Sequence, residues 1–222
     1  MGIFFMEENK IINQVVKQIK TKFEGESSGH DWFHIERVWK LAKQIALKEN
    51  ANTFVVELGA LLHDIADHKF VNDFEKESVL RTERILMPLG VDEELINQVK
   101  HIVLNCSFKG GVEANKMKTL EGKIVQDADK LDAIGAIGIA RTFAFGGKFG
   151  SLLYHPDIKP IQHQTLESYQ NNRTHTINHF YEKLLLLKDL MHTETAKQIA
   201  LQRHQFMERF LEQFYNEWEA KI

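Results

Sequence analysis

The chain has 222 residues, of which 43% are hydrophobic and 27% charged, and its formal net charge is −3. That length only modestly exceeds the ~150 residues of an average domain, and the composition excludes the disordered and fibrous classes. The acidic balance argues against sequence-independent nucleic-acid binding, which needs clustered Lys and Arg to displace counterions, but it leaves room for a small anion held at a local positive site.

Helix-period patterning dominates from the first residues, and no segment alternates as a strand would. The start, MGIFFMEENK, has neither the charged region nor the apolar length of a signal peptide. Ile11, Ile12, Val15, Val16, Ile19 and Phe23 then form one stripe, which predicts a helix over about 8–22 that ends before a Gly-rich loop at 25–29. Asp31 is placed to cap a second helix carrying His34, Val38, Leu41 and Ile45 inward, and Thr53 to cap a third carrying Val56, Leu58, Leu61, Leu62 and Ile65. Two more helices are predicted over about 76–87 and 92–104, followed by a Gly and Lys loop at 107–116.

A sixth helical pattern, QDADKLDAIGAIGIARTFAF, contains Gly135 and Gly138. Each costs an unbroken helix about 1 kcal/mol relative to Ala, so a kink or close packing is expected there. From 146 to 172 the periodicity is lost, which predicts a long loop, a candidate lid. The closing segment, 176–218, reads as two long amphipathic helices broken near His192, with Thr193 capping the second; they pack on the domain or pair subunits into a homodimer. The longest uninterrupted apolar run in this part, Leu184–Leu187, sits between Lys183 and Lys188, far short of the ~20 residues of a membrane span. With a lone Cys106, which forms no internal disulfide, this places the chain in a reducing, cytoplasmic setting. The expected class is all-α, one domain over 1–222, with a motif-bearing core at about 29–147 and a C-terminal helical extension at about 176–218.

Three elements carry the chemistry. His63 and Asp64 interrupt the apolar stretch ELGALLHDIAD, where a buried carboxylate needs compensation that a divalent cation would supply. In HDWFHIERVWKLA, His30 and His34 are four apart, but capping by Asp31 leaves His30 before the helix and makes His34 the better ligand, with Arg37 one turn on. In QDADKLDA, three acids, Asp127, Asp129 and Asp132, share a helix with the apolar Ile124, Val125, Ala128 and Leu131, so at least one requires a partner; helical geometry does not choose between Asp127 and Asp129. GGKFGS lacks the first Gly and the Ser or Thr of a phosphate loop, and no GxSxG elbow is present.

In this order, GHDWFHIERVWKLA, ALLHDIAD and QDADKLDAIGAIGIARTFAFGG resemble the HD superfamily of metal-dependent phosphohydrolases, and specifically its bacterial HD-domain hydrolase branch. The resemblance implies an HD-type helical bundle with one divalent metal on His34, His63, Asp64 and Asp129. The chain lacks the HHExxDGxGYP motif of cyclic-dinucleotide phosphodiesterases, and His101 with Asn105 is the sole, weak candidate for a second metal. A set of two imidazoles and two carboxylates suits Mn²⁺, which is favoured, as well as Fe²⁺, Co²⁺, Ni²⁺, Zn²⁺ or Mg²⁺.

Asp67 follows Asp64 by three residues on the same face, where related hydrolases carry an acid; it and Lys130 are the candidate catalytic residues. His68, Lys69 and Arg141 are candidate phosphate contacts, and Arg37 and Asp132 are placed to orient the ligands. The expected substrate is a small phosphate compound, a nucleotide by resemblance and a triphosphate before a monophosphate. Its rivals are another phosphate ester and a catalytically silent module that binds metal or nucleotide.

Overall fold

A computed structural model describes residues 2–25, 31–66, 73–106, 116–161 and 174–221, with side chains from Met6 onward. Among them the regular structure is entirely helical: α1 (Gly2–Lys22), α2 (Trp32–Glu49), α3 (Thr53–Leu62), α4 (Phe74–Leu86), α5 (Glu93–Asn105), α6 (Leu120–Asp132), α7 (Gly135–Lys148), α8 (Asn178–Glu182) and α9 (Glu194–Trp218). Short 3-10 turns follow α4 at Met87–Leu89 and α8 at Leu184–Leu190. No helix among the described residues is long and apolar enough to cross a membrane. The chain divides into two compact units, 1–107 with 115–128 and 108–114 with 129–222, and the boundary falls inside α6.

The first unit is organised around α3, which packs against α1, α2 and α5. Every residue from Phe54 to Leu62 is buried, and a helix apolar all round is stable only as a core element. Its one acid, Glu57, accepts from Trp39 Nε1 and Lys43 Nζ, both at 2.9 Å, which satisfies a carboxylate only 5% exposed and ties α2 to α3. Gly59 lets two neighbours approach: a Cβ there would meet Ile102 of α5 at 3.0 Å and Val125 of α6 at 3.4 Å. Asn52, not Thr53, caps α3, its side chain accepting from Val55 N at 3.3 Å. Both residue types cap well, and the chain enters the helix one position earlier than the patterning suggested.

In the second unit α9 packs against α7 and against the 3-10 turn at Leu184–Leu190. The break expected at the glycines is real: α6 ends at Asp132 and Gly135 opens α7 with φ +77°, while a Cβ on Gly138 would stand 2.2 Å from the carbonyl oxygen of Ala133. The helix runs on to Lys148, so the irregular stretch begins later than sequence periodicity suggested, and part of it, 162–173, lies outside the described residues. The penultimate long helix expected before His192 is instead α8 and a 3-10 turn. Leu184 and Leu187 are the buried pair of that turn, three apart as three residues per turn requires, and this spacing mimics one face of an α-helix in sequence. Thr193 does cap α9, accepting from Ala196 N at 3.3 Å.

Segment 151–161 is pinned by backbone and side-chain bonds from 174–182. Thr176 and Ile177 donate their amides to the carbonyls of Leu152 and Leu153. His175 gives Nε2–H to Ile158 O at 3.0 Å and accepts the amide of Asn178 at Nδ1 at 3.2 Å. Phe143, Phe180, Phe210 and Phe214 build the neighbouring aromatic core, with Phe180 and Phe210 stacked at 5.8 Å.

Candidate metal centre

His34 is the third residue of α2, and its position is fixed by the cap: its amide donates to Asp31 Oδ1 at 2.8 Å. His63 follows the last residue of α3. Its Nδ1 lies 2.7 Å from Ala60 O, and because a carbonyl only accepts, Nδ1 carries the proton and Nε2 presents its lone pair. That Nε2 faces His34 Nε2 at 3.3 Å, with the rings edge to face. Asp64 Oδ2 completes a triangle at 3.4 Å from His63 Nε2 and 3.5 Å from His34 Nε2.

Donors ~2.0–2.2 Å from a common cation stand roughly 2.8–3.6 Å apart when they occupy neighbouring positions. The three separations fall in that range, so these side chains fit a divalent ion without rearrangement. Burial reinforces the point: the imidazoles are 2% exposed and the Asp64 side chain 19%, surroundings in which an uncompensated carboxylate is costly.

The other carboxylate comes along α6. Val125 meets Gly59, and Asp129 and His63 each lie four residues further along their helices, one turn on the same face. Asp127, the alternative left open by helical geometry, is fully buried, and Asp129 is half-buried.

The remaining candidates have separate settings. Lys130 Nζ donates to Leu190 O at 2.8 Å and lies 3.3 Å from His192 Nε2. Arg141 Nη1 pairs with Asp132 Oδ2 at 2.6 Å, so two residues assigned different roles from sequence hold each other. Arg37 is half-buried on α2. Asp67, His68 and Lys69, like His30, lie outside the described residues. His101 Nδ1 is 3.3 Å from the amide of Asn105, and its buried Nε2 has no hydrogen-bond partner among the described residues.

Two contributors carried no motif. The carbonyl of Ile65, the residue after Asp64, accepts from Lys22 Nζ at 2.7 Å and Arg81 Nη1 at 3.2 Å. Burial of the ammonium end, then the nearby Arg81 charge, pushes the Lys22 pKa down to about 8 against an opposing pull from Glu77. Contacts 43 and 16 residues apart leave no local sequence signal.

The sequence profile of the HD domain matches residues 32–134, the span from α2 to just past α6. Protein YpgQ of Bacillus subtilis is 41% identical over 209 residues, 94% of each chain. A crystal structure described as an HD-superfamily hydrolase from Bacillus thuringiensis superposes with a TM-score of 0.76 at 44% identity, covering 96% of this chain and 99% of the other. The crystal structure of Bacillus subtilis YpgQ in complex with ADP gives 0.74 at 37% identity, covering 95% and 96%. With its triangle of two imidazoles and a carboxylate, and relatives matched over nearly their whole length, the chain belongs to the HD superfamily, in its bacterial YpgQ-like family of hydrolases.

Proposed function

We propose that this protein is a metal-dependent phosphohydrolase that cleaves a phosphate or pyrophosphate bond of a nucleotide. The observation that carries the reading is the convergence of His34 Nε2, His63 Nε2 and Asp64 Oδ2 at 3.3–3.5 Å, with His63 held in the tautomer a cation requires. Asp129 is the fourth ligand in this reading, and Mn²⁺ is the favoured ion for a mixed nitrogen and oxygen set. The ADP complex of YpgQ, a relative matched end to end, supports a nucleotide as ligand.

A divalent cation bound there supplies polarisation of a phosphoryl oxygen and acidification of a water. The chain's own residues do the rest. Ala60 O orients the His63 ring and Asp31 holds the backbone amide of His34, so both ligands are positioned before substrate arrives. Asp67, three residues after Asp64 in sequence, takes the proton of the attacking water or holds that water in line. His68 and Lys69 bind phosphate oxygens, and Lys130 and Arg141 join them only by exchanging Leu190 O and Asp132 as partners.

The test is release of phosphate and pyrophosphate from a panel of ribo- and deoxynucleotides with Mn²⁺, with Asp64→Ala as control. Turnover by the wild type alone is expected, and the product identifies the bond. Silence across the panel and across Fe²⁺, Co²⁺, Ni²⁺, Zn²⁺ and Mg²⁺ overturns the nucleotide reading.

A further inference from the structure

We infer that Lys22 and Arg81 are positioning residues for the metal centre: from α1 and α4 they grip the Ile65 carbonyl and so fix the direction of the adjacent Asp64. The inference rests on the reading of His34, His63 and Asp64 as metal ligands.

Helix α3 ends at Leu62, and the ligand pair His63–Asp64 occupies the turn after it. A ligand in a turn is held less firmly than one inside a helix, because fewer backbone bonds constrain its φ and ψ. Here the turn is fastened at both ends. On the near side, Ala60 O takes His63 Nδ1–H and Leu62 O takes the Ile65 amide at 2.9 Å. On the far side no residue of α3 reaches Ile65 O, and its two acceptor sites are filled by the ammonium of Lys22 and the guanidinium of Arg81.

Arg81 is itself held: its Nε pairs with Glu77 Oε2 at 2.9 Å, one turn back on α4. The Ile65 side chain, 2% exposed, is locked in the core, Leu62 O holds the Ile65 amide in the peptide plane after Asp64, and the two cations hold the next plane through Ile65 O, so Ile65 is fixed on both sides of its Cα and Asp64 is anchored by it.

An ordinary helix end is satisfied by one glycine-type cap or by water. Here two like charges converge on one oxygen from helices remote in sequence, and burial of the ammonium first, then the Arg81 charge, lowers the Lys22 pKa. Negative partial charge at the C-terminus of α3 offsets part of that repulsion. The arrangement fixes the residue that follows a ligand, and loss of outer partners of a metal site typically weakens metal binding by about 10–100-fold.

The experiment measures Mn²⁺ affinity by calorimetry and the melting of the metal-free protein, in the full chain, for Lys22→Met, Arg81→Met, the double variant and Lys22→Arg. Each single loss is expected to weaken Mn²⁺ binding by about 10-fold while metal-free melting changes little, and Lys22→Arg is expected to recover most of the affinity. The double variant should weaken binding by less than the product of the singles, since both hold one oxygen. Singles that bind Mn²⁺ within about twofold of the wild type, with or without a drop in melting temperature, reduce the pair to a helix cap and overturn the inference. A wild type that takes up no Mn²⁺ overturns the ligand reading itself, a result distinct from equal binding by all variants.

Discussion

In the first unit, His63 gives its Nδ1 proton to a carbonyl of its own helix and turns Nε2 toward His34 and Asp64. In the second, His175 commits both ring nitrogens to backbone groups, Ile158 O and the Asn178 amide, and closes a loop onto a short helix. The two side chains are equally buried, at 2% and 3%. Burial alone therefore does not mark a functional histidine. What separates them is the chemistry facing the second nitrogen: a backbone amide consumes it, whereas another imidazole and a carboxylate leave a cluster of lone pairs that a cation would bind.

The largest effect expected from this contrast is at the cluster. His63→Ala or Asp64→Ala should abolish Mn²⁺ uptake and bring turnover to background, a loss of about 10³-fold or more, while the metal-free fold persists. Metal analysis of Asp64→Ala that equals the wild type would remove Asp64 from the ligand set. Asp67→Asn sharpens the contrast by separating binding from chemistry: Mn²⁺ affinity should hold while kcat drops by about 10²–10⁴-fold.

For the structural histidine, His175→Ala should cost about 1–2 kcal/mol in urea denaturation, because two hydrogen bonds of a buried ring are lost while Ile158 O keeps the Asn178 side chain and the Asn178 amide keeps His175 O, with Mn²⁺ affinity unchanged. A loss of Mn²⁺ affinity there would break the distinction. The smallest effect is one of pH. Burial first, and then the Lys183 charge, lowers the His179 pKa to about 3. Below the usual histidine value the unfolded chain therefore binds a proton that the folded chain refuses. His179 thus contributes a loss of stability as pH falls from about 6.5 toward 3, and none above it. Denaturation midpoints at pH 5 and pH 7 should differ less in His179→Gln than in the wild type.

Much of the candidate centre was legible because its determinants are local. A cap three residues before His34, an HD pair in an apolar stretch, and acids on an amphipathic helix are all short-range patterns, as is Thr193 before α9. The break at Gly135 was legible for the same reason. What escaped was set by tertiary contact. Asn52 and Thr53 cap about equally well in isolation. The run LLLLKDL fits an α-helical stripe until burial selects Leu184 and Leu187 and the chain tightens to a 3-10 turn. Lys22 and Arg81 reach Ile65 only once three helices have assembled.

The tryptophans are distributed in a way that makes the two units optically separable. Trp32 and Trp39 lie on α2 in the first unit, with Trp39 donating to Glu57 of α3, whereas the second unit contains only Trp218, 47% exposed at the end of α9. Trp218→Phe would leave indole emission arising solely from the helix that carries His34. Loosening of α2 from α3 would then appear as a change in indole emission, with no attached dye.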